Sequence, residues 1–360
     1  MHLVPVVLAG GIGERFWPLS RSYQPKQLLP LISNRSMMEE TIARVQGLSP
    51  AHIKPLIVTG QSMIPLIKKA LPKNQPYDCI GEPSGKNTAP AIAIAAAYIQ
   101  KKYGDSLMVI LPADHAISPL PKYHAALKSA AILAEKQDKL VVFGIKPNRP
   151  DTGYGYIHLG SSLGRIKGIA TNNVRGFVEK PDAKTAAGYV KSGDYFWNSG
   201  MFVWKTSTIL SEFEQHMPAL FALTTQAVRA KLTPAAITAF YKKCESQSID
   251  YGIMEKSKRV AAIAGGFSWD DVGSWESMPR LFGKNKLGTT VIGDSIAELD
   301  CKNSIIVNKS NRAVAALGLN DSILVVTNDT VMAISRSALP DIKKYRARIK
   351  DSGTLPNQLF

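Results

Sequence analysis

Short, almost wholly apolar runs punctuate the first 145 residues, at 3–8, 55–58, 77–80, 107–111 and 140–143. Runs of this length suit strands buried on both faces. Between them, apolar residues recur at helical spacing over about 62–71, 88–102 and 122–137. Ser36-Met37-Met38-Glu39 is a capping box opening a further helix, with Ile42 and Val45 on one face. Strand and helix in alternation predict βαβ units around a parallel sheet. Beyond Pro147 the alternation weakens, and residues 206–256 read as mainly helical, a cover over the sheet to which no chemistry is assigned. After Gly283 the character changes. Apolar runs at 304–307, 313–317, 323–326 and 331–334 recur every 8 to 10 residues with Asn, Asp and Gly between them. They predict a small β-helix-like or sandwich-like unit, closed by a basic amphipathic helix over 339–349. The expected fold is therefore α/β, with a mixed, mostly parallel sheet in a domain over residues 1–283 and a small β domain over 284–360.

Composition changes this picture little, but charge and cysteine narrow it. Lys plus Arg is 44 against 28 for Asp plus Glu, a formal +16. Such a surface attracts anions. The basic residues are spread along the chain, with no zinc-finger spacing and no aromatic-basic RNA motif, so nucleic acid is not the expected partner. Phosphorylated small molecules are. Cys79, Cys244 and Cys301 are odd in number and far apart, which fits a reducing compartment and neither a disulfide framework nor a structural zinc site. Met1-His2-Leu3-Val4-Pro5 leads straight into the first strand without a leader-like pattern. The longest apolar stretch, 89–99, is too short to span a bilayer. The expectation is a soluble cytoplasmic protein with no membrane partner.

The candidate chemistry begins where the first strand ends, at Leu8-Ala9-Gly10-Gly11-Ile12-Gly13. Glycines on such a turn let successive N–H groups wrap an anion. Arg15 and Lys26 add two positive charges, a combination suited to a polyphosphate. The dinucleotide fingerprint fails because Phe16 stands where its third glycine belongs, and residues 81–87 fail the phosphate-loop pattern by one residue. Asp114, just past the strand at 107–111, is well placed to hold a hard cation such as Mg²⁺. His115 is given no role, since a phosphate nucleophile is already ionised near neutrality.

The pattern G-G-x-G-x-R-x-x-P-L-S-R followed by P-K-Q resembles the signature of sugar-1-phosphate nucleotidyltransferases. In the form GGIGERFWPLSRSYQPKQ it is similar to the mannose-1-phosphate guanylyltransferases. GEPSGKNTAPA at 81–91, FVEKP at 177–181 and WNSGMF at 197–202 agree with it, over about residues 3 to 280. The resemblance implies a Rossmann-like, GT-A-like nucleotidyltransferase domain making GDP-mannose and pyrophosphate from GTP and α-D-mannose 1-phosphate. It implies Arg15, Lys26 and Lys180 as catalytic residues. Leu8, Ala9, Gly10, Gly11, Gly13, Arg15, Lys26, Glu82, Pro83, Asn87, Thr88 and Asp114 would bind the nucleotide. Tyr154, Gly155, Glu179, Lys180 and Asn198 would bind the sugar, and Asp114 with Asp271 the Mg²⁺. Asp270 is the alternative by one residue, because adjacent strand side chains face opposite ways. Bifunctional relatives continue into an isomerase domain for which this chain stops too early, so no isomerase activity is expected. The C-terminal unit with its basic helix is the expected surface of a homodimer. A transferase for another sugar or base, or a non-catalytic nucleotide-sugar regulator, are the alternatives.

Overall fold

The computed structural model describes residues 1–360. Its strands are β1 (Leu3–Ala9), β2 (Leu56–Gly60), β3 (Asp78–Glu82), β4 (Leu107–Pro112), β5 (Ala116–Ser118), β6 (Leu140–Ile145), β7 (Tyr156–Ile166), β8 (Ile169–Val178), β9 (Tyr195–Lys205), β10 (Val260–Ala264), β11 (Ser268–Asp270), β12 (Thr290–Ile292), β13 (Ile296–Leu299), β14 (Ile305–Lys309), β15 (Val314–Leu317), β16 (Ser322–Thr327) and β17 (Val331–Ser335). The helices are α1 (Met37–Val45), α2 (Ile64–Ala70), α3 (Thr88–Tyr103), α4 (Leu120–Gln137), α5 (Ala183–Ser192), α6 (Thr206–His216), α7 (Pro218–Arg229), α8 (Pro234–Lys243), α9 (Met278–Phe282) and α10 (Ile342–Asp351). The chain divides into two units. One comprises Met1–Gly10, Glu40–Ala113 and Ile117–Trp269, the other Gly11–Glu39, Asp114–Ala116 and Asp270–Phe360.

The first unit is built on a nine-stranded sheet of order β3-β2-β1-β4-β9-β6-β10-β8-β7. Strands β3, β2, β1 and β4 run parallel, whereas β9 is antiparallel to both β4 and β6. The mixed, mostly parallel α/β sheet is thus the one the apolar runs predict. Its central strands bury both faces. Met108 and Ile110 of β4 pack into one core with Ile92 and Ile99 of α3, while Leu107, Val109 and Leu111 enter the opposite core with Leu127 and Leu133 of α4. The weakened alternation after Pro147 has a simple cause. β7 and β8 form a long antiparallel hairpin, so no crossover helix separates them.

Register sets the chemistry's location. Leu8 pairs with Pro112 across β1 and β4, and Gly60 with Glu82 across β2 and β3. Parallel strands that end level present their following loops at one sheet edge, where ligands bind in such folds. The first-unit segments that end at Gly10, Glu82 and Ala113 all leave that edge.

In the second unit, β12, β14 and β16 stack in parallel, as do β13 and β15, with β17 closing antiparallel. Parallel rungs 15 to 18 residues apart, as Thr290 against Ile305 and Ile305 against Ile323, make this unit β-helix-like rather than a sandwich. Its terminal helix starts at Ile342, not 339, because Pro340 lies in a preceding 3-10 turn and cannot donate within an α-helix.

Candidate active site

In the second unit the glycine turn is turned inside out relative to an ordinary loop. Gly11 O accepts from Gln27 Nε2, Ile12 O from Lys26 N, and Gly13 O from Ser20 Oγ and Phe16 N. Three consecutive carbonyls of the turn are thus bonded inward. Gly13 has φ +75°, and a Cβ there would stand 2.2 Å from the Cβ of Lys26. At Gly10 a Cβ would meet nothing. Arg15 is exposed on the 3-10 turn Glu14–Phe16.

Lys26 is buried and is the hub. Its Nζ donates to Asp114 Oδ2 at 2.6 Å and to the main-chain oxygen of Asp271 at 2.9 Å. Burial would push the Asp114 carboxyl up, but the charges of Lys26 and His115 hold it below the usual carboxylate range. Asp270 is committed elsewhere: Arg280 grips both of its oxygens, at 2.5 and 3.1 Å, and its Oδ1 also accepts from Val272 N. Its carboxylate is consumed by structure. The expected pair Asp114 and Asp271 are both hard carboxylates, and no group of three or more potential ligands occurs in the chain. That donor set fits Mg²⁺, which takes one or two protein carboxylates and completes its shell with water and substrate phosphate.

The loop between Gly13 and Lys26 is held from three sides. Phe16 packs on Trp275 of the Asp-Val-Gly-Ser-Trp segment with ring centroids 5.1 Å apart, and Trp275 Nε1 donates to Trp17 O. Trp17 stacks on Phe360 and donates to Leu359 O at 2.8 Å. Arg21 makes a two-pronged bond to Asp329, and Arg346 reaches Glu14. None of these partners past residue 283 was singled out by pattern, because each is an isolated residue in the C-terminal unit.

The first unit carries the remaining expected residues in two groups. At the end of β3, Glu82 is buried, and its Oε1 has no hydrogen-bond partner. Burial pushes its carboxyl up, and the neighbouring Tyr241 hydroxyl only partly offsets this. Pro83 follows in the exposed turn. Asn87 caps α3 by accepting from Thr88 N, at φ +66°, while Thr88 Oγ1 accepts from Ile249 N.

The second group lies on β7, β8 and β9. Asn198 N donates to Gly155 O at 2.8 Å, and a Cβ on Gly155 would stand 2.4 Å from Glu179 Oε2. The structure thus brings Gly155, Glu179, Lys180 and Asn198 together. Lys180 is paired with Glu179 Oε1; burial works against its charge, but Glu179 and then Asp250 and Tyr251 hold it above its usual range. Tyr154 is buried, its ring packed edge-on against Trp197 and Trp269 and covered by the Arg149 guanidinium. Trp197, Phe202 and Trp204 are core, as expected. From the segment 206–256, a π-helical turn over Asp250–Met254 brings Asp250 Oδ1 to Asn198 Nδ2 at 2.9 Å. The available signal was a carboxylate next to the apolar Ile249 and just ahead of Ile253-Met254.

The glycine turn has its Gly11, Ile12 and Gly13 carbonyls bonded inward, and a buried lysine pairs with a carboxylate beside it. Residues 4–285 match the Nucleotidyl transferase family, and the chain belongs to that family. It is 36% identical to a mannose-1-phosphate guanylyltransferase of Klebsiella pneumoniae over 348 residues, 95% of this chain and 73% of that protein. It is 38% identical to the xanthan biosynthesis protein XanB of Xanthomonas campestris pv. campestris strain B100, over 98% of this chain and 74% of that one. The crystal structure described as mannose-1-phosphate geranyltransferase from Thermus thermophilus superposes with a TM-score of 0.85 at 31% identity, covering 97% of this chain and 100% of that one. No helix is long and apolar enough to cross a membrane.

Proposed function

We propose that this protein transfers the guanylyl group of GTP to α-D-mannose 1-phosphate, giving GDP-mannose and pyrophosphate. The observation that carries the chemistry is Lys26, buried between Asp114 and the Asp271 main chain immediately behind the Gly13 turn. The near full-length likeness to proteins named for this reaction supports the substrates. A sugar-phosphate oxygen attacks the α-phosphorus as the bond to pyrophosphate breaks, and no protein nucleophile is required. The residues contribute positioning and charge.

The N–H edge of Gly10, Gly11 and Gly13, following Leu8 and Ala9, cradles the phosphates, with Arg15 and Lys26 as their cations. Glu82, Pro83, Asn87 and Thr88 frame the base, where the buried Glu82 acceptor suits a guanine N–H. Gly155, Glu179 and Asn198 take the sugar, with Tyr154 as the wall behind them, and Lys180 sets its phosphate. Asp114 and Asp271, not Asp270, would hold Mg²⁺, which when bound supplies charge neutralisation at the phosphates. The family match over residues 4–285 supports a catalytic domain over 1–283. Residues 284–360 would join two copies. Leu299 and Leu317, neighbours across β13 and β15, are 63% and 60% exposed, an apolar pair that a homodimer would cover.

Two measurements test this reading. Pyrophosphate release with Mg²⁺, crossing GTP, ATP, UTP and dTTP against mannose, glucose, galactose and fucose 1-phosphates, is expected to be confined to GTP with mannose 1-phosphate. Turnover with another pair moves the substrate assignment, and silence with tight GDP-mannose binding favours a regulator. Gly13→Ala is expected to lower kcat/KM for GTP at least about tenfold, because its Cβ displaces Lys26 and strains a positive φ. Gly10→Ala, with open space around it, is expected to stay within about threefold.

A further inference from the structure

We propose that Asp250 is a positioning residue of the sugar-phosphate subsite. It fixes the Asn198 amide so that Asn198 and Glu179 present a donor and an acceptor side by side to the hydroxyls of a hexose 1-phosphate. The inference rests on the reading of Glu179, Lys180 and Asn198 as that subsite.

An Asn amide has two donors and one acceptor oxygen, and which end points where is set by its partners. Here Asn198 Nδ2 donates to Asp250 Oδ1 at 2.9 Å and Asn198 Oδ1 accepts from Gly200 N at 3.0 Å. One Nδ2 hydrogen remains, in a known direction. Beside it, Glu179 Oε1 is spent on Lys180, but Oε2 is buried with no partner. A buried acceptor left in that state is costly, and a sugar hydroxyl is a donor that would satisfy it. Gly155 keeps the space open, since any side chain there would collide with Glu179 Oε2 and crowd Asn198 Cβ at 3.3 Å.

Asp250 itself is an expensive way to hold an amide. Burial and the nearby Glu179 charge push its carboxyl up to about 6, against a smaller lowering by the Asn198 bond and by Lys180. From the packed helix α6, Glu212 turns instead to His216 and Arg259, so Glu179 and Lys180 are the charges that act on Asp250. The π-helical turn that delivers Asp250 is of a rare kind that occurs frequently at functional sites. Its preceding residue is pinned through the Ile249 N bond to Thr88 Oγ1.

The test is steady-state kinetics of the full chain with GTP and mannose 1-phosphate, for wild type, Asp250→Ala, Asp250→Asn, Asn198→Ala and Glu179→Gln. Asp250→Ala is expected to raise KM for mannose 1-phosphate about tenfold, with kcat and KM for GTP within about threefold. Asp250→Asn keeps an oxygen acceptor for Asn198 and is expected to restore KM to within about threefold of wild type. Protonated Asp250 likewise keeps a carbonyl oxygen for Asn198, so wild-type KM for mannose 1-phosphate stays within about threefold as pH falls through about 6. The ionised form weighs against the fold above about 6, so Asp250→Asn melts at or above the wild-type temperature at about pH 7.5. Should Asp250→Ala fail to fold, Asp250→Leu, which fills the space without an acceptor, takes its place and is expected to raise KM for mannose 1-phosphate by the same factor of about ten. An unchanged KM in the variant without an acceptor, equal rises for both substrates, or no recovery in Asp250→Asn overturn the proposal. If Asn198→Ala and Glu179→Gln raise KM while Asp250→Ala does not, only this inference fails. If none of the three does, the sugar-subsite reading fails with it.

Discussion

Asp271→Asn is expected to lower turnover by about two to three orders of magnitude, the loss seen when one preorganised electrostatic group is removed, while the protein still folds. The contact that ties this residue to Lys26 is made by its main-chain oxygen. An amide of the same shape leaves that bond in place and removes only charge. The control is one residue away. Asp270→Asn weakens the paired hydrogen bonds from Arg280, so it is expected to lower the melting temperature while leaving kcat within about threefold once the protein is folded. Reversed outcomes, with Asp270→Asn inactive in a stable protein and Asp271→Asn active, would assign the second carboxylate to Asp270. Stopped assays of pyrophosphate release paired with thermal melts separate the two cases.

Lys26→Met is expected to damage both stability and activity. The side chain is 6% exposed, and its ammonium is the partner that holds the Asp114 carboxyl down. Removing it leaves the half-buried Asp114 carboxylate without its cation and removes the cation behind the glycine turn, for a loss of at least about a hundredfold in kcat. The acid side carries a sign that can be checked. A carboxyl held below its unfolded value contributes stability that is fully present above the ordinary range, about 3.9, and is lost as pH falls through the lower folded value. In the variant, burial without the ammonium leaves that carboxyl above its ordinary range, so the stability difference between wild type and Lys26→Met is fully present above the variant's raised value and shrinks as pH falls through it toward the lower wild-type value. A difference that grows on acidification would contradict the pairing.

Much of this was legible in the chain because the local signals agree with the fold. Fully apolar runs specify strands covered on both faces, and the Ser36–Glu39 box is realised bond for bond, with Glu39 accepting from Ser36 N and Ser36 Oγ from Glu39 N. Three of the four motifs were readable because they combine chemistry-bearing residues with a strand end, while the fourth, at 197–202, lies inside β9. What stayed hidden depends on contacts distant in sequence. The β7–β8 hairpin shifts register several times along its length, which breaks any clean alternation, and β12 and β13 are only three and four residues long. The partner that grips Asp270 is Arg280, ten residues beyond it, which no spacing rule identifies. Asp250 reaches Asn198 across 52 positions through a turn that the helical pattern of its neighbours conceals.

The most direct test of the central claim is to incubate the purified protein with GTP, mannose 1-phosphate and Mg²⁺ and identify the products by mass and phosphorus resonance. The account predicts GDP-mannose and pyrophosphate in equal amounts, formed only when both substrates are present. Inorganic phosphate in place of pyrophosphate, or no product from a folded protein that binds both substrates, would contradict it.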